Sequence, residues 1–112
     1  MDSSGLKIPS REDIMPTYIS LLDYTEQGIR DIKDSLKRFA AAKKLAKSLR
    51  GRIRSFYLTM GLHDAVAVTE FPNDDAAAKF ALMIGRVGAI RAETLRAFPE
   101  ADYRRIVNSL PK

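Results

Sequence analysis

The stretch RIRSFYLTMGLHDAVAVTEF, Arg52 to Phe71, decides the fold. Its two flanks, Arg52–Thr59 and Asp64–Phe71, are rich in β-branched and aromatic residues and read as strands. Between them lies Met60-Gly61-Leu62-His63, a four-residue, glycine-containing connection of the length an antiparallel hairpin uses. A hairpin in mid-chain must find its other sheet neighbours outside itself.

Upstream, Gly28 to Leu49 carries apolar residues at the helical period. Ile29, Ile32 and Leu36 form one stripe; Phe39, Ala42, Leu45 or Ala46, and Leu49 form a second, turned about the axis. That shift predicts a kink or restart near Asp34-Ser35, with Ser35 as cap, and Gly51 closes the helix as a C′ glycine. Further back, Thr17–Leu22 is a strand bounded by Pro16 and the Asp23–Gly28 turn cluster. Downstream, Pro72-Asn73-Asp74-Asp75 opens a helix with an inner face rich in alanine, suited to lie close on a sheet, which stops between Gly85 and Gly88. Ala89–Phe98 alternates as a fourth strand, and Pro99-Glu100 starts a last helix with Tyr103, Ile106, Val107 and Leu110 on one face.

The order is β-α-β-β-α-β with an extra C-terminal helix, an α+β chain of the ferredoxin-like split βαβ type. Such a sheet carries helices on one face only. Whichever strand parity points away exposes either Tyr18, Ser20 and Leu22 or Ile19 and Leu21 in the first strand. In the third it exposes either Val66, Val68 and Glu70 or Ala67, Thr69 and Phe71. A face so mixed in polarity is expected to meet a second copy or to enclose a ligand.

The chain has 112 residues, room for one domain, read as residues 15–112 behind a flexible extension, residues 1–14. No apolar h-region follows Lys7, so the extension does not read as a secretory signal. There is no cysteine, no tryptophan and one histidine, which removes disulfides, thiolate metal sites and multi-histidine centres, and a cytoplasmic location is expected. The net charge is +5, but Arg30–Arg54 holds ten basic and two acidic residues, a local +8 that leaves −3 elsewhere. Lys37, Arg38, Lys44 and Lys47 are candidates to meet an anionic partner; the plainer reading is the solvated face of one helix. Phe39 is the one aromatic interleaved with these charges and its period turns it inward, so stacking on nucleic acid is not supported. The apolar face of the same helix is short and alanine-rich, which argues against a membrane surface.

Met15–Ile29, Lys33-Asp34-Ser35, Ser55–Gly61 and Thr94–Phe98, taken in order, resemble the GYD domain family of small prokaryotic proteins. The resemblance implies a ferredoxin-like fold of the dimeric α/β-barrel type; it implies a fold and not a chemistry. Where the family has Gly-Tyr-Asp at the hairpin, this chain has Gly61-Leu62-His63-Asp64, with His63 in place of the aromatic residue. Gly61 is read as supplying a positive φ and Asp64 as an acceptor for turn amides.

Candidate ligand-binding residues are Tyr18, Ser20, Tyr57, Thr59, His63, Asp64 and Glu70, polar groups on the strands or their connection. If Glu70 faces an enclosed space its pKa rises and it can act as acid or base; the alternative is cross-strand pairing with an arginine such as Arg54. His63 is a single imidazole in a hairpin connection, a turn residue before it is a haem ligand, so neither a cofactor nor a metal is expected. Gly85-Arg86-Val87-Gly88 ends a helix and does not open one, the wrong polarity for phosphate. The leading expectation is a homodimer that binds a small molecule or serves as an oligomerisation module. The first alternative is a cofactor-independent oxygenase or isomerase, with Tyr18, Tyr57, Glu70 or His63 as acid/base groups. The second is a basic nucleic-acid binder.

Overall fold

β1 (Thr17–Tyr24) occupies an inner position in the sheet, and the rest of the chain is arranged around it. The computed structural model describes residues 15–112; the segment read as a flexible extension, residues 1–14, lies outside the described residues. β1 runs two residues past Leu22, because Asp23 and Tyr24, expected in a turn, still pair with Arg91 and Ile90. It is followed by α1 (Glu26–Arg30), a 3-10 turn over Ile32–Asp34, and α2 (Ser35–Ser48). Then come β2 (Arg52–Leu58), β3 (Ala65–Glu70), α3 (Asp74–Val87), β4 (Ile90–Ala97) and α4 (Glu100–Asn108). The strands form one antiparallel sheet in the order β2-β3-β1-β4.

The helical restart at Asp34-Ser35 is present, but not through a serine cap. Ser35 is the first helical residue, Asp34 before it makes no side-chain capping bond, and the 3-10 turn supplies the change of direction. The end of α2 also differs from expectation. Arg50, at φ 63°, takes the left-handed C′ position, while Gly51 follows it and donates to the Ala46 carbonyl at 2.8 Å in a Schellman closure. Glycine is required at 51 for space: a Cβ there would lie 2.3 Å from the Glu70 carbonyl oxygen and from the Phe71 ring. Gly28 has the same reason, since its Cβ would lie 2.0 Å from the Ala89 carbonyl oxygen.

Register divides the sheet into two faces. Ser20 pairs with Ala67 and Ile19 with Val68, so Tyr18, Ser20, Leu22, Ala65, Ala67 and Thr69 share one face and Ile19, Leu21, Val66 and Val68 the other. The first face meets the helices. There Tyr18, Ala46, Phe71 and Ala77 form the core, with Leu49, Ile53, Ala76 and Phe80 packed on it. Phe71 is 1% exposed, its ring centroid 5.0 Å from that of Phe80. Truncation of such a side chain costs about 3–5 kcal/mol. This core draws on the C-terminal end of α2 and the N-terminal end of α3, which confines it to the end of the sheet where β1 begins. α4 has the expected apolar face, yet Tyr103 and Val107 on it are exposed.

Candidate functional site

At the other end of the helix layer, the N-terminal half of α2 and the C-terminal half of α3 leave a cleft of about 580 Å³ over the sheet. Its origin is compositional. Ala41 and Ala42 of α2, Ala81 of α3, Ala67 and Ala92 of the sheet and Ala89 beside it all line the space, and methyl groups are too small to fill it. Interiors otherwise pack to near crystal density, so a void this size is open to a guest. The alanine-rich inner face of α3 is suited to lie close on the sheet. That holds at Ala77, which is buried in the core, and fails one turn later at Ala81, where α3 becomes a cleft wall.

Larger apolar groups complete the enclosure. Phe39 from α2 and Phe56 from β2 stack with centroids 4.9 Å apart on one side, and Phe80, Met83 and Ile84 of α3 stand opposite. On the floor the hydroxyls of Ser20 and Thr94 meet across β1 and β4 at 3.2 Å. Two charged residues reach the lining, Lys37 and Arg38, and no carboxylate or imidazole does. The Arg38 guanidinium donates from Nη1 to the Asp31 carbonyl at 3.2 Å and from Nη2 to the Gly28 carbonyl at 3.5 Å, while its Nε is buried without an acceptor.

The structure separates the candidate residues instead of gathering them. Ser20 alone among the seven lines the cleft. Tyr18 is 3% exposed in the core; its hydroxyl donates to Asp74 Oδ1 at 2.5 Å, and burial first, then that bond, pushes its pKa up to about 12. Glu70 lies on the opposite face and is held by Arg52 Nε and Arg54 Nη1, each at 2.8 Å. Burial pulls the Glu70 pKa up, but the bonds from Arg54 and Arg52 outweigh it and the carboxyl sits below its ordinary value. Of the two readings of Glu70, the cross-strand arginine pair is therefore the one present, and the raised, proton-transferring carboxyl is not. Tyr57, 60% exposed, shares that outer face.

Thr59, His63 and Asp64 tie the hairpin connection to the end of β1. Thr59 Oγ1 donates to the His63 carbonyl at 2.6 Å, His63 Nδ1 lies 3.2 Å from Asp23 Oδ2, and Asp64 Oδ2 accepts the Tyr24 N–H at 2.9 Å. Gly61 has no positive φ and open space around its Cα, so the backbone does not demand glycine there, contrary to expectation. Of the four basic candidates, Lys37, Lys44 and Lys47 are exposed along α2 and Arg38 is half-buried. Sequence reasoning missed Ala42, Ala81 and Met83 as cleft residues; the alanines at 41, 42 and 81 were the available signal. Among the described residues no group of three or more His, Cys, Asp or Glu stands at metal-binding spacing, and no helix is long and apolar enough to cross a membrane.

Comparison with curated proteins gives no match. The family model for the GYD domain matches residues 18–107, which takes in β1 through most of α4. The chain therefore belongs to the GYD domain family.

Proposed function

We propose that the protein is a homodimer of ferredoxin-like subunits, each of which binds a small, largely apolar molecule in the cleft between α2, α3 and the sheet. The cleft carries the reading: about 580 Å³ of space, walled mainly by alanine, phenylalanine and aliphatic side chains with a few hydroxyls on its floor, is the composition of a small-molecule site. Binding is favoured over catalysis because no carboxylate or imidazole reaches the wall, which leaves the Tyr24 phenol and the Lys37 amine as the titratable groups there besides Arg38. The strand order β2-β3-β1-β4 supports the ferredoxin-like assignment. The dimer rests on the outer sheet face, where among the described residues no helix covers Ile19, Leu21, Val66 and Val68 and Leu95 is 42% exposed. Two such faces packed together would form the α/β barrel, with both clefts on its outside.

The neutral dye Nile red tests the cleft. The protein is expected to take up one dye per chain with a rise in fluorescence, and Ala42→Phe, which places a ring in the space, is expected to lower the affinity at least tenfold while the far-UV circular dichroism is unchanged. Dye binding that is indifferent to Ala42→Phe would place the apolar site elsewhere and sink the reading.

A further inference from the structure

The cleft is apolar in body but not neutral. Its charged lining is Lys37 and Arg38, and no acid joins them there. Arg38 is half-buried at the edge of α2, and the only acceptors it finds among the described residues are two main-chain carbonyls, those of Asp31 and Gly28. Carbonyl groups orient a guanidinium without cancelling its charge. Its Nε is shut off from water with nothing to donate to, a condition that buried polar atoms rarely keep. By contrast, Arg52 and Arg54 share the Glu70 carboxylate and Arg104 takes that of Glu100. A pre-oriented, uncompensated cation on the wall of an apolar space is suited to a planar anion that arrives with the guest.

Resting on the cleft reading above, the geometry points to a carboxylate amphiphile as the ligand class: an apolar chain or ring system lying between Phe56 and α3, with its carboxylate at Arg38 and Lys37 assisting at the rim. One negative charge on the guest balances the half-buried guanidinium. The Ser20–Thr94 hydroxyl pair on the floor shares one hydrogen bond, which leaves a single O–H free to meet a polar atom of the guest.

The test compares decanoate with decanol as competitors of Nile red on the full chain. Decanoate is expected to displace the dye at about one-tenth the concentration that decanol needs, the scale of one charge-assisted contact. Arg38→Met is expected to bring the two to parity by weakening decanoate alone, and Arg38→Lys to retain part of the preference. Equal displacement by acid and alcohol on the wild-type chain, or a preference that survives Arg38→Met, would overturn the ligand class while leaving the cleft intact. Failure of Nile red itself to bind would instead strike the cleft reading. If Arg38→Met does not fold, the wild-type comparison decides alone.

Discussion

Tyr18 shows how far a residue's role can lie from its residue type. A tyrosine on a strand invites an acid/base assignment, yet the burial of this ring and its bond to Asp74 make it a structural donor. Its neutral form is favoured by folding, so the sign is fixed: the contribution is whole below the unfolded phenol's value of 10.0 and is lost as pH rises towards about 12. Urea midpoints measured across that range are expected to fall more steeply for the wild type than for Tyr18→Phe; parallel curves would contradict it. Glu70 works in the opposite direction, since its lowered pKa gives stability above 4.5 that is lost as pH falls through the folded value. The pairing of Glu70 with Arg54 was legible from neighbouring strands; the surroundings of Tyr18 were not. Asp74 is 56 positions from Tyr18, and only the folded sheet brings α3 to it.

The elements were far more readable than the residues that decorate them. β3 and α3 lie within a residue or two of expectation, and within the stretch read as the start of α3 it is Asn73 that caps, its Oδ1 accepting the Ala76 N–H at 2.9 Å. Asn73→Ala is expected to lower the unfolding free energy by about 1 kcal/mol, read from equilibrium denaturation, with no change of fold. The element-scale errors share a cause. Ser35 and Gly51 were assigned by the commonest job of their residue types, capping and C′ closure, whereas the structure uses a 3-10 turn at one and a steric gap beneath Glu70 and Phe71 at the other. The irregular pairing between Ile53 and Ser55, which releases Arg54 to reach Glu70, likewise leaves no mark in the strand pattern. The cleft was invisible for a related reason: alanine at 77 and alanine at 81 are the same letter, and only the side chains the fold places opposite them make one core and the other wall.

For the whole molecule, the unpaired sheet face carries the prediction. Val68→Lys, on the outward parity beside Ile19, is expected to convert a dimer to a monomer in sedimentation equilibrium while Nile red binding persists. A wild-type chain that is monomeric at every concentration would remove the dimer and leave the cleft standing. The inner position of β1 also sets an order of assembly. Thr17 pairs with Glu70 on one side and Ala97 on the other, so β1 must wait for partners roughly fifty and eighty residues away, while β2 and β3 meet across a short loop. Local pairing closes quickly and distant pairing slowly. A nascent chain can thus shape its hairpin early, but its first strand stays open on one edge until nearly the last residues of β4 have been synthesised.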